Sequence, residues 1–309
     1  MRQGAVAAFS RIDGGALPVC VGAIGQHSNR ELDRPGGSRP TQWGCHRRRK
    51  GRKVTTGADS TLKVLAIGGG NLRIGETRRI DRRAVELTGK EHPFTVFLPT
   101  ATGDDEGYCE TFRDVYGGEL GCDVHVLKLL RDGPGTQAAA ELLAAADLVY
   151  VGGGNTLRMM KTWRSSGVDR LLLDAAGRGA VMAGVSAGGI CWFSYGHSDS
   201  LAYTGKPHWS FVRVRGLGLV NALFCPHYHV ERREEALQDM VRKRGDTALA
   251  ADDNTAIEIV GNQWRVYRSR RSGKAYRLTR ASGAVHVERL PADHEFRPLA
   301  ALLSGEPLL

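Results

Sequence analysis

Three apolar runs, each ending in small residues ahead of a helix-forming segment, restrict the fold of this chain more than any other feature. Leu62-Lys63-Val64-Leu65-Ala66-Ile67 leads into Gly68-Gly69-Gly70, and Asp147-Leu148-Val149-Tyr150-Val151 leads into Gly152-Gly153-Gly154-Asn155. Val181-Met182-Ala183-Gly184-Val185 leads into Ser186-Ala187-Gly188-Gly189. A short, continuous apolar run suits a strand covered on both faces, and a glycine turn at its end lets a helix pack back on the sheet. Helices are expected near 81–87, 108–115, 136–146, 156–163 and 168–176, with further strands at 94–98 and 124–129. This alternation predicts an α/β fold: a doubly wound, mostly parallel sheet with helices on both faces.

Past residue 200 the pattern is mixed. A strand near 223–226 and a helix at 233–242 precede hairpin-like strands at 256–260, 263–267, 275–278 and 285–290. These predict a C-terminal antiparallel hairpin extension (about 256–290) of one α/β domain covering 61–309, not a second domain. The glycine triplets do not recur further, so the chain is not a repeat protein.

The net charge of +10 would suggest an acidic partner if it were spread evenly. It is not. Residues 1–58 carry 11 Lys/Arg against three acids, and the remaining 251 residues carry 32 against 30. Charge therefore gives no reason to expect nucleic acid on the folded domain. Residues 1–60 are rich in Gly, Ser, Pro and Arg and lack periodicity, which predicts a disordered basic N-terminal extension. The six cysteines have no paired or zinc-ligand spacing in the body, which fits a reducing compartment. No apolar run approaches the ~20 residues of a membrane span. These features predict a cytoplasmic protein with no membrane partner.

Gly184-Val185-Ser186-Ala187-Gly188 sits where a strand turns into a helix. Glycines on either side let strand and helix approach closely, and the helix start aims N–H groups at an oxyanion formed on the serine. The same pentapeptide also suits a plain tight turn, so the choice rests on partners. A serine nucleophile needs a base and the base an orienting acid. His227, at the end of the apolar strand before Tyr228, is the candidate base, with His229 as a rival. Parallel strand ends converge at one edge, which would bring Ser186 and His227 together. Asp199 is the candidate acid, with Asp252 and Asp253 as alternatives. Ala187 and Gly154 could donate to the oxyanion. Neither glycine triplet extends to a phosphate-binding pattern, which argues against nucleotide binding.

Val151-Gly152-Gly153-Gly154-Asn155-Thr156-Leu157, Gly184-Val185-Ser186-Ala187-Gly188 and Cys225-Pro226-His227-Tyr228, in this order, resemble the peptidase E and cyanophycinase family of serine peptidases over about residues 62–267. The resemblance implies a class I glutamine amidotransferase-like fold in which serine replaces the amidotransferase cysteine. It implies Ser186 as nucleophile, His227 as base, Asp199 as acid, and Gly154 with Ala187 as oxyanion donors. It further implies a dipeptidase preference for N-terminal aspartate, read by an arginine after the histidine: Arg233, with Arg232 as alternate. Asn155 is the other expected substrate contact. The segment between Ser186 and His227 departs from the family's Thr-Asn-Asp pattern.

The expected activity is thus a serine exopeptidase or dipeptidase on small, Asp-containing peptides, with no metal or organic cofactor. A cyanophycinase-like or other amide hydrolase, and a non-catalytic protein binding a small ligand, are the alternatives. A sheet edge left open by the hairpin extension would allow a homodimer.

Overall fold

The computed structural model describes residues 61–304 except 131–132, 134 and 231–232. The expected N-terminal extension (1–60) and Arg232 lie outside the described residues. In chain order the main strands and helices are β1 (Lys63–Ile67), α1 (Arg78–Glu86), β2 (Phe94–Leu98), α2 (Glu106–Phe112), β3 (Asp123–Val126), α3 (Thr136–Ala145), β4 (Leu148–Val151), α4 (Thr156–Ser166), α5 (Val168–Gly177) and β5 (Val181–Val185). They continue with α6 (Ala187–Ile190), β6 (Phe193–Ser198), β7 (Val212–Arg215), β8 (Val220–Cys225), α7 (Arg233–Arg244), β9 (Ala248–Ala251), β10 (Thr255–Val260), β11 (Gln263–Arg268), β12 (Ala275–Ala281), β13 (Ala284–Arg289), β14 (Arg297–Pro298) and α8 (Leu299–Ser304).

The strands form two sheets, not one. The first has the order β14-β11-β10-β1-β5-β4-β2-β3, and the second β13-β12-β9-β8-β6-β7. From β1 to β3 the first sheet is parallel throughout, and β10, β11 and β14 extend it antiparallel. The hairpin β10–β11 thus joins the parallel sheet as expected. The later hairpin β12–β13 does not, because β12 pairs with β9 in the second sheet. Strand β8, whose end is expected to converge with that of the serine strand in the parallel sheet, also belongs to the second, between β6 and β9.

Side-chain alternation along the first sheet divides its core in two. Val64, Ala66, Val96, Leu98, Val149, Val151 and Met182 face α3, α4 and α5, where Leu143, Met159, Trp163 and Leu172 are fully buried. Leu65, Ile67, Phe97, Tyr150, Val181 and Ala183 face α1 and α2, through Ile80, Ala84 and Phe112. Helices therefore cover both faces, as a class I glutamine amidotransferase-like fold requires. The second sheet presents Phe193, Phe224 and Leu249 to the first of these cores, and Leu223, Cys225 and Ala250 to Leu237 and Val241 of α7. Glu258 on β10 is wholly buried between Arg83 at 2.8 Å and Arg265 at 2.9 Å, which ties α1 to the antiparallel edge. Among the described residues, no helix is long and apolar enough to cross a membrane.

The chain passes from the first sheet to the second at Ser186–Trp192 and returns at Asp252–Asn254, between β9 and β10. The candidate site lies where these crossings meet.

Candidate active site

Ser186 follows β5 directly and precedes the single-turn helix α6. Its φ of 54° and ψ of −113° lie where a non-glycine residue is strained, which turns the side chain out from the strand end. The flanking glycines permit the turn by close approach. A Cβ on Gly184 would overlap the Gly188 carbonyl, and a Cβ on Gly188 would overlap that of Val151. Among the described residues Ser186 Oγ has no hydrogen-bond partner, and the side chain is half-buried. A hydroxyl left open at such a turn suits a nucleophile; catalytic hydrogen bonds often tighten only when substrate arrives.

His227 stands one residue past the Cys225-Pro226 end of β8, also at positive φ (50°). Its Nδ1 lies 2.6 Å from Asp253 Oδ1. That hydrogen bond, ahead of the other contributions, holds the Asp253 carboxyl below its ordinary value. The rival His229 faces a different group: its Nε2 is 2.7 Å from the Tyr276 hydroxyl and its Nδ1 is 3.3 Å from Glu234. Asp252 lies 3.8 Å from His229 Nε2, and burial pushes its carboxyl up. The two neighbouring aspartates therefore diverge, Asp253 to His227 and Asp252 toward His229.

A short backbone run holds these parts in register, and sequence reasoning missed it. Ile67 O accepts from Ser186 N at 2.9 Å, Gly68 O from His227 N at 3.2 Å, and Gly69 O from Asn254 N at 2.9 Å. Three consecutive carbonyls, from the last residue of β1 onward, each fix one segment of the site. Gly69 itself packs against the imidazole and Asp253, where any Cβ would overlap both. Read from sequence, Gly68-Gly69-Gly70 was only a strand-end turn. The available signal was its likeness to the second triplet, which faces Ser186.

That second triplet lies close by: a Cβ on Gly153 would stand 3.4 Å from Ser186 Cβ. Gly154 has φ of 128°, which only glycine adopts easily, and a Cβ there would overlap Ala101 O. The N–H groups of Gly154 and Ala187 donate to no acceptor among the described residues. Asn155 caps α4, its Oδ1 accepting from Arg158 N at 3.0 Å. Its amide nitrogen donates to no acceptor among the described residues.

Two expectations need correction. Asp199 does not bond His227: its Oδ2 accepts from Arg233 Nη2 at 2.7 Å. Arg233, expected to face a substrate carboxylate, is only 2% exposed, with its guanidinium carbon 4.8 Å above the Phe211 ring. The topology explains the first: Asp199 follows β6 and meets the buried Arg233 at the start of α7, while the crossing between β9 and β10 delivers Asp253 to the imidazole. The second follows from α7, whose first residue is buried under the second sheet. Two other polar groups here are inert. Burial, with the Arg233 charge, lowers His197 to about 3, and burial pushes the Cys225 thiol up to about 12. His197 is therefore a neutral ring and Cys225 a protonated thiol near neutral pH.

The model of peptidase family S51 matches residues 64–267. The chain is 31% identical over 236 residues to the uncharacterized peptidase YgaJ of Bacillus subtilis, covering 75% of this chain and 98% of that protein. It is 28% identical over 152 residues to the uncharacterized peptidase Lmo0363 of Listeria monocytogenes, covering 47% and 70%. Among solved structures it is similar to a peptidase from an acI-B1 Actinobacterium, with a TM-score of 0.59 at 19% identity over 77% of this chain and 96% of that one. A putative peptidase E protein from Listeria monocytogenes gives a TM-score of 0.52 at 21% identity, over 68% and 100%. Those two likenesses establish the shared fold. The match to the family model and the YgaJ likeness show that the chain belongs to peptidase family S51, the serine-type peptidases.

Proposed function

We propose that the chain is an exopeptidase or dipeptidase acting on small peptides, with Ser186 as nucleophile, His227 as base and Asp253 as orienting acid. The observation that carries this reading is the 2.6 Å bond from His227 Nδ1 to Asp253, on an imidazole held beside Ser186 by adjacent carbonyls. With Nδ1–H donated to Asp253, Nε2 is left unprotonated to take a proton. Ser186 Oγ forms a bond to the scissile carbonyl carbon as its proton passes to Nε2. The Gly154 and Ala187 N–H groups receive the oxyanion. Collapse breaks the C–N bond, and the leaving amine takes the proton from the imidazolium. Water repeats the sequence and frees the acid.

A preference for an N-terminal aspartate rests on resemblance alone, because Arg233 is buried against Asp199. The test is hydrolysis of Asp-Leu beside Glu-Leu, Asn-Leu, Ala-Leu and isoAsp-Leu, with fluorophosphonate labelling of wild type and Ser186→Ala. Cleavage and labelling lost together in the variant are expected. Turnover retained by Ser186→Ala would remove the nucleophile assignment.

A further inference from the structure

The proposed mechanism leaves Asp199 without a role in proton transfer, yet it follows the strand that pairs with the base's own. Strands β6 and β8 are parallel, with Gly196 opposite Phe224. Asp199 directly follows β6 and His227 lies just past β8, so both stand beyond the C-terminal ends of neighbouring strands, where α/β sheets bind ligands. Cys225 Sγ lies 3.6 Å from His197 Nδ1, so the side chains of the two strands still meet one residue further on.

The carboxylate is held from several sides. Arg233, buried and donating to Oδ2, fixes one oxygen. Ser198 Oγ bonds Thr156 Oγ1 at 3.0 Å, and Ser200 Oγ accepts from Leu157 N at 3.0 Å. Both neighbours of Asp199 are thereby pinned to the start of α4, just past the glycine turn that abuts Ser186. Oδ1 accepts no hydrogen bond among the described residues, and the side chain is 27% exposed while its arginine is covered. The member of the pair that faces outward is the anion.

We infer that Asp199 is a substrate-binding residue whose Oδ1 receives the α-ammonium of the peptide's N-terminal residue. An exopeptidase that releases one residue must recognise that ammonium, which lies two bonds from the carbonyl under attack. Its acceptor must then stand near the nucleophile; Asp199 follows the strand next to that of the base, and its neighbours are bound to the start of α4, just past the glycine turn against Ser186. Arg233, bonded to Oδ2, holds the carboxylate in one orientation, so the acceptor is in place before substrate arrives. This inference rests on the peptidase reading above.

The experiment compares dipeptides with analogues that lack only the amine: Ala-Leu with N-propanoyl-leucine, and Asp-Leu with N-succinyl-leucine. In wild type, loss of the ammonium should lower kcat/KM by about 10- to 100-fold, the range of a hydrogen bond to a charged group. In Asp199→Asn that ratio should collapse toward one, because the free dipeptides lose far more kcat/KM, through a raised KM, than the analogues do. N-acetyl-Lys-Leu distinguishes a side-chain ammonium; its cleavage at the rate of Ala-Leu would overturn the α-ammonium assignment. Equal rates with and without the amine in wild type, or an Asp199→Asn variant that slows both members of each pair alike, would overturn the inference. So would failure to cleave any free dipeptide while Ser186 still reacts with a fluorophosphonate. The wild-type arm stands even if the single variant folds poorly, and Asp199→Asn with Arg233→Met avoids an unneutralised buried charge. An unreactive Ser186 would instead remove the peptidase reading itself.

Discussion

His227 Nδ1 and Asp253 Oδ1 lie 2.6 Å apart although their backbones belong to different parts of the fold. The histidine ends a strand of the second sheet, and the aspartate lies on the crossing back to the first. The proposed orienting acid thus sits where the chain crosses between the sheets.

Asp253→Asn should lower kcat about 10³- to 10⁴-fold, because the amide favours the wrong imidazole tautomer without changing size. The adjacent Asp252→Asn, whose aspartate lies toward His229, should stay within a few-fold of wild type. The imidazole holds Asp253 below the ordinary carboxylate range. Its contribution to stability is therefore present above that range and is lost only as pH falls through the lowered value. Equal losses from both variants, in steady-state kinetics on the best dipeptide, would contradict the assignment.

Ser186→Ala should reduce turnover by at least about a thousandfold and abolish fluorophosphonate labelling. The hydroxyl has no hydrogen-bond partner among the described residues, so the melting temperature should stay close to that of wild type. A large drop in thermal stability would give the serine a packing role that its environment does not suggest.

Gly69→Ala should cost about a hundredfold or more in kcat/KM, since the added methyl must displace the imidazole or Asp253. Both partners are partly exposed, at 28% and 44%, so they can move aside and the fold should survive. Circular dichroism and kinetics together check this; undiminished activity would mean that the turn yields instead.

Asp81 gives a stability signal independent of catalysis. It is fully buried, bonded by Thr77 at 2.8 Å and Tyr116 at 3.0 Å, and burial raises its carboxyl to about 7. The folded chain then keeps a proton that the unfolded chain releases near pH 4 (about the ordinary aspartate value). The stabilisation by neutral Asp81 is complete below that pH and is lost as pH rises toward about 7. Asp81→Asn should therefore gain stability relative to wild type between pH 5 and about 8. Parallel melting curves for the two proteins across that interval would rule the effect out.

The parallel strands were legible because both of their faces are covered, so Val64–Ile67 and Leu148–Val151 read as unbroken apolar runs. Strand β9, Ala248-Leu249-Ala250-Ala251, escaped notice because alanine has little strand preference and only the second sheet buries it. In β6, Ser194, Gly196 and His197 break the apolar pattern, and its burial comes from neighbours far along the chain. The site divides similarly. Ser186 and His227 stand out as a motif and a strand end, whereas Asp199, Asp252 and Asp253 all sit in turn-like surroundings. Which aspartate meets the imidazole is decided by where the chain crosses between sheets. Nothing local marks Arg233 as buried either; its partner is 34 positions away.

The carbonyls of Ile67, Gly68 and Gly69 act as a gauge. The spacing of the segments that carry Ser186, His227 and Asp253 is measured out along consecutive peptide units, whose bond lengths and planarity hardly vary. Side-chain packing in the surrounding core need not set it. Hydrophobic residues there can be exchanged for others of similar volume over many generations while the reacting groups keep their spacing. A chain built this way tolerates broad drift in composition at constant chemistry, and its vulnerable points are the few atoms of backbone that carry the scale.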